Sequence, residues 1–308
     1  MHPKRSLPPA PCPPCRPTPP LPGAIATLVC LIFGLGACHQ AAAPTPAFVD
    51  LGRDYADAGD HLAQIAVLER RLARLAPDDP DLPAALESLA LACVEAADVN
   101  LGGDTDTYTL RRAAIDHFQR LRRDFPAYEG SPAALLMAAY EAQSLHEAAE
   151  RDALLTDLVS HYPGSDPALD ALVLLGLAAI EAKDFAAAHT WLSQLRRADP
   201  SGERGRYASF LSAWVHFSQE DYAAACATLG ESLHGPAPDP DLRHQILALL
   251  PRACAAPEMS GSAMAAELAR FGLDGEVYRR VLADLATHLE ALGKTAERAE
   301  VQAILAPL

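Results

Sequence analysis

Three prolines, Pro126, Pro163 and Pro200, stand 37 residues apart, and the apolar residues before them keep the same step. Phe118, Leu155, Leu192 and Leu229 form one series; Leu121, Leu158 and Leu195 form another. A strict period between about 20 and 50 residues marks a stack of supersecondary units rather than a globule around one core. Apolar steps of three and four within each unit predict amphipathic helices, and a proline just past the last apolar residue stops each one. Half of the residues are apolar yet only 6% are aromatic, with alanine and leucine dominating after residue 46. That mixture favours closely packed helices. Alternation with period two is missing, so no sheet is expected.

The clearest unit runs from about Leu169 to Ser201. Leu172, Leu175 and Gly176 share one helical face, Lys183-Asp184-Phe185 forms a turn, Ala188, Leu192 and Leu195 mark the face of a second helix, and Asp199-Pro200 ends it. Asp221-Tyr222-Ala223-Ala224-Ala225 repeats Asp184-Phe185-Ala186-Ala187-Ala188 one period later. Weaker copies stand at Leu51-Gly52, Tyr55, Gly59-Asp60 and Pro77, and at Leu285-Ala286, Leu289 and Leu292-Gly293. This pattern resembles the tetratricopeptide repeat (TPR): a Leu-Gly pair in helix A, an aromatic opening helix B, a small alanine inside helix B and a terminal proline. The resemblance implies an all-α, right-handed α-solenoid of about 6–7 helix pairs over residues 47–308. It departs from the family in its period, 37 where about 34 is usual. Arg151 stands where helix B should carry its alanine, and Ser209 and Ser212 interrupt one helix A. Residues 98–106, rich in glycine and turn formers, are expected to form a loop between Ala97 and Thr107.

Residues 1–46 are a different kind of sequence. Lys4, Arg5 and Arg16 precede an apolar run over 24–36, of the length of a secretory signal core and short for a membrane span. Leu35-Gly36-Ala37-Cys38 at its end resembles the bacterial lipobox. The resemblance implies cleavage before Cys38, lipidation of its thiol and a new N-terminus there, with 1–37 as signal peptide and 38–46 as anchor and flexible linker. An ordinary signal peptide cut near Ala37 or Ala43 is the alternative. In enterobacterial lipoproteins an Asp after the cysteine retains the protein in the inner membrane; His39 here implies the periplasmic face of the outer membrane. The Cys12-Pro-Pro-Cys15 pair is read as part of the discarded leader, because no second pair and no strand-helix unit accompany it.

Cleavage before Cys38 removes Lys4, Arg5 and Arg16 and no acidic residue, leaving 22 of the 25 basic residues against 40 acidic ones, a net charge of −18. Counterion release needs a basic surface, so nucleic acid is not an expected partner. Beyond Cys38 only Cys93, Cys226 and Cys254 remain, each in a predicted helix among apolar neighbours. Buried free thiols are the first expectation and a Cys226–Cys254 disulfide the alternative.

No nucleotide, hydrolase or cofactor fingerprint occurs, so neither enzyme activity nor a cofactor is expected. His146-Glu147-Ala-Ala-Glu150 comes nearest to a zinc-protease motif but has Glu150 where the second imidazole belongs, so a solvated helix start is expected and no metal. Asp104 and Asp106 lack the further ligands of a calcium loop.

The TPR resemblance places the binding surface on the groove lined by the A helices. With Leu175-Gly176 setting the register, Asp170, Val173, Leu177, Ile180 and Glu181 face that groove; the 37-step carries them to Tyr207, Phe210, Trp214, Phe217 and Ser218, and back to Ala133, Leu136, Tyr140, Gln143 and Ser144. Tyr207, Phe210, Trp214 and Phe217 concentrate scarce aromatics at steps of three and four, which suits either an apolar peptide anchor or inner-face packing. The expected function is a non-enzymatic, lipid-anchored scaffold holding an envelope protein or peptide in an assembly, secretion or motility complex. The alternatives are a peptidoglycan enzyme or activator, with Glu181 as candidate general acid, and a self-assembling structural protein.

Overall fold

The computed structural model describes residues 61–99, 104–233 and 239–307, and all of their regular structure is helical. The leader, the Cys12/Cys15 pair, Cys38 with its linker, and the copy at Leu51–Asp60 lie outside these residues. Thirteen helices follow one another among the described residues. They are α1 (His61–Leu72), α2 (Leu82–Asp98), α3 (Asp104–Asp124), α4 (Ser131–Ser144), α5 (Ala148–His161), α6 (Asp166–Glu181), α7 (Phe185–Ala198), α8 (Glu203–Ser218), α9 (Tyr222–Leu233), α10 (Pro240–Cys254), α11 (Gly261–Ala269), α12 (Gly275–Ala291) and α13 (Thr295–Leu305).

Even-numbered helices are the A helices and odd-numbered ones the B helices of an α-solenoid, with α1 standing as one further B helix before six pairs. Each A helix packs on the B helix that follows, and on the B helix before it through α10. The A helices α4, α6, α8, α10 and α12 also touch in succession, so they form one continuous face. The 37-step is therefore physical. Phe118, Leu155, Leu192 and Leu229 are essentially sealed from solvent, as are Leu121, Leu158 and Leu195. Full burial of each such side chain contributes about 1.5–3 kcal/mol.

The turns obey the same period. His146, Lys183 and Glu220 adopt left-handed backbone (φ 60°, 57° and 63°), and Gly293 does so (φ 72°) two periods after Glu220 less one residue. After each, the next amide reaches back five residues: Glu147 to Ala142, Asp184 to Ala179, Asp221 to His216 and Lys294 to Leu289, at 2.8–3.0 Å. This is the Schellman closure of a helix C-terminus, and it turns the chain directly into helix B. Asp184 and Asp221 then cap α7 and α9 by accepting from Ala187 and Ala224 N–H.

Pairing is close because small residues stand at the crossings. A Cβ added to Gly176 of α6 would lie 2.8 Å from Leu192 Cδ2 of α7, so the leucine fills the space a side chain would need. The eroded positions are accommodated by polar bonding. Arg151 lies along the interface and sends its guanidinium to Gln143 Oε1 (2.7 Å) and Asp152. Ser209 and Ser212 donate to the Gly205 and Ala208 carbonyls one turn back.

Two expectations change. The loop placed over 98–106 is shorter, because α2 runs through Asp98 and α3 opens at Asp104, an acidic residue suited to a helix N-terminus. Cys226 and Cys254 are not free thiols. They form a disulfide between α9 and α10 with their Cα atoms 4.9 Å apart. A-to-B packing within the array brings the two cysteines into bonding range, which their apolar neighbours did not reveal. Cys93 remains a buried thiol, pushed up to about 12 by desolvation with a smaller contribution from Glu69.

Candidate functional site: the A-helix face

The successive A helices carry the residues expected to bind a partner, and the structure sorts them into three groups. Leu177 and Phe210 belong to the core, at 9% and 6% exposure. Val173 and Ile180 are buried with them. Gln143 and Glu181 are exposed, and Gln143 is occupied by Arg151. Tyr140, Asp170, Tyr207, Trp214 and Phe217 are half-buried, each with part of its surface open.

The half-buried group is braced across neighbouring A helices by charges that the repeat register did not select. Arg204 in the first turn of α8 reaches over α6, with its Nε 2.6 Å from Asp170 Oδ1, one Nη 3.2 Å from Asp170 Oδ2 and the other 3.2 Å from Asp166. The Asp170 carboxylate leads in raising the Arg204 pKa, against the opposing effect of burial. Tyr140 of α4 lies in the field of this pair: burial chiefly raises its pKa, Asp170 adds to the rise and Arg204 opposes it. Tyr207 sits one turn after Arg204. Burial raises the Tyr207 pKa, and its hydroxyl is enclosed without a hydrogen-bond partner among the described residues. An enclosed hydroxyl with no partner costs about 1–3 kcal/mol, so this position is under polar tension.

The aromatic stripe on α8 divides in two. Tyr207 and Phe210 stack with ring centroids 6.3 Å apart and planes 27° apart. One turn on, Trp214 and Phe217 are 6.1 Å apart, Tyr222 meets Phe217 edge-on at 5.6 Å, and Arg252 of α10 lies 5.3 Å over the Phe217 ring. A cation over an aromatic face contributes about 0.5–1 kcal/mol at a site this open. Sequence reasoning missed Arg204, Tyr222 and Arg252. Arg204 was legible as the residue three before Tyr207 on the same helix face, but Arg252 meets Phe217 only through α8–α10 packing.

The His146-Glu147-Ala-Ala-Glu150 segment is not a bare solvated helix start. Both carboxylates grip the Arg112 guanidinium of α3, Glu150 at 2.7 Å, while His146 is exposed and carries the left-handed turn. Arg112 is consequently held above its ordinary range, with the bond to Glu150 the largest cause. Beside it, Arg111 links Glu141 of α4 (2.5 Å) to Asp98 of α2 (2.7 Å). Glu141 is almost fully buried, and that burial raises its pKa against the pull of Arg111. These networks lock neighbouring helix pairs together. Among the described residues, no three His, Cys, Asp or Glu side chains converge as metal ligands would.

No protein-family model and no curated protein sequence matches the chain. Solved structures do. BtubC (BKLC) from P. vanneervenii is 17% identical, with a TM-score of 0.39 over 80% of this chain and 93% of that one. A tetratricopeptide repeat protein from Parabacteroides merdae ATCC 43184 is 14% identical, with a TM-score of 0.33 over 77% of this chain and 97% of that one.

Proposed function

We propose that this protein is a non-enzymatic scaffold that holds a partner protein on its A-helix face and is tethered through a lipid on Cys38 to the outer membrane of a bacterial envelope. The observation that carries the binding role is the half-buried row of Tyr140, Tyr207, Trp214 and Phe217, bracketed by the fixed cations Arg204 and Arg252. Aromatic and arginine side chains dominate the energetics of protein interfaces, above all where neighbouring contacts have already removed part of their water. An amphipathic helix or extended peptide that lays apolar side chains along the row matches this combination.

The envelope address is supported by two independent features. The Leu35-Gly36-Ala37-Cys38 sequence resembles a lipobox behind an export core. The Cys226–Cys254 bridge belongs to an oxidising compartment, which the periplasm is. Glu181, the candidate general acid of the cell-wall reading, is exposed at the end of α6 rather than set in a desolvated cleft, so the geometry favours the scaffold.

Palmitate labelling tests the anchor: the wild-type protein takes up label and sediments with membranes, whereas Cys38→Ala does neither. Equal labelling of the two would remove the anchor from the account. For the face, Trp214→Ala with Arg252→Ala is the informative pair, since Phe210 is buried and its truncation would confound binding with folding.

A further inference from the structure

An open cleft of about 470 Å³ lies between α7, α8 and α9. Arg196, Arg197 and Arg206 line it together with Glu231. None of the three arginines has an acidic partner among the described residues, although the array pairs most of its other arginines. Arg206 donates one Nη–H to the Ser201 carbonyl at 2.7 Å, and its Nε is enclosed without an acceptor.

The repeat itself shows what has changed at this place. Two periods earlier, Arg122 pairs with Asp157 at 2.8 Å and Arg123 with Asp124 at 3.1 Å. A step of 74 residues carries Arg122 and Asp157 to Arg196 and Glu231, which share the cleft without bonding. The same step turns Asp124 into Ala198 and Pro132 into Arg206. The step also puts Asp199 in place of Phe125 and Gln194 in place of Arg120, so what changes is the pairing rather than the local charge: Arg197 lacks the acid that Arg123 has, and Arg206 is added. The adjacent Asp199 accepts from the Gly205 N–H at 3.2 Å and keeps its negative charge beside the cleft.

We propose that this cleft binds a compact dianion of the phosphate monoester type through Arg196, Arg197 and Arg206. Three guanidiniums face the carboxylates of Glu231 and the adjacent Asp199 without an ion pair, and the planar guanidinium fork fits phosphate oxygens two at a time.

Calorimetric titration of the purified protein with inorganic phosphate, in low-salt buffer, tests the site. One saturable equivalent is expected. Arg196→Gln with Arg197→Gln, both exposed positions that leave the core intact, weakens it by about tenfold or more, since both lost bonds are charge-assisted. Glu231→Gln tightens it, because the competing carboxylate is gone. A parallel titration with glycerol 3-phosphate separates the sources: tighter binding than phosphate identifies an esterified ligand, and equal binding the free ion. Absence of saturable binding by the wild type, undiminished binding by the double variant, or unchanged binding by Glu231→Gln would each overturn the assignment.

Discussion

The Arg204 guanidinium on α8 clasps the Asp170 carboxylate on α6 at 2.6 Å, so two consecutive A helices share one charged brace beside Tyr140 and Tyr207. Both partners are more than a third exposed, and solvent screens the pair. Arg204→Gln should therefore cost less than about 1 kcal/mol of stability in urea denaturation, while weakening partner binding severalfold by releasing the half-buried row. A large loss of stability would instead make the pair a structural lock.

Packing at the helix crossing gives a sharper expectation. Gly176→Ala forces a methyl against Leu192 and should destabilise by about 1–3 kcal/mol. Leu192→Ala, which opens a cavity at a sealed position, should cost about 2–5 kcal/mol. Thermal unfolding of both variants checks the pair.

The left-handed turn residues predict a change of opposite sign. Lys183 is exposed and holds φ at 57°, a conformation that strains any residue with a Cβ. Lys183→Gly should stabilise the fold by about 0.5–1 kcal/mol, after allowing for the greater freedom glycine has when unfolded. A lower Tm would show that the lysine side chain makes a contribution of its own.

Reduction offers another test. The Cys226–Cys254 bridge closes a segment of 28 residues, for which loop entropy predicts about 3–4 kcal/mol. Cys226→Ser with Cys254→Ser should lose stability on that scale, and dithiothreitol should reproduce the loss in the wild type but leave the double variant unchanged.

The pH dependence has a definite sign. His117, His216 and His288 are each held below the ordinary 6.5, with burial the largest cause in every case. As pH falls through 6.5 the unfolded chain takes up protons that the folded chain still refuses, so stability should decline from about pH 7 toward pH 5.5. His117→Gln should flatten that slope. A rise in stability across this window would contradict the burial of these imidazoles.

What was legible in the sequence was whatever the repeat controls. The Phe118–Leu229 series and the prolines after α3, α5 and α7 marked the helix pairs and their buried faces, because a solenoid copies one local solution at every step. The same logic explains the failures. Register placed Phe210 and Leu177 on the open face, yet helix-to-helix packing encloses them. Arg252 over Phe217 and Cys226 bonded to Cys254 depend on how one pair sits against the next, which the period does not encode. Glu147 and Glu150 looked solvated because their partner, Arg112, lies 35 and 38 residues away.

The most direct test of the scaffold account is photo-crosslinking in living cells, with a crosslinking amino acid placed at Trp214 on the A-helix face and, separately, at the exposed Thr190 on α7. A scaffold yields a discrete protein adduct from position 214, none from position 190, and loses the adduct when Cys38→Ala releases the protein from the membrane. Equal adducts from both positions, or none from position 214, would contradict it.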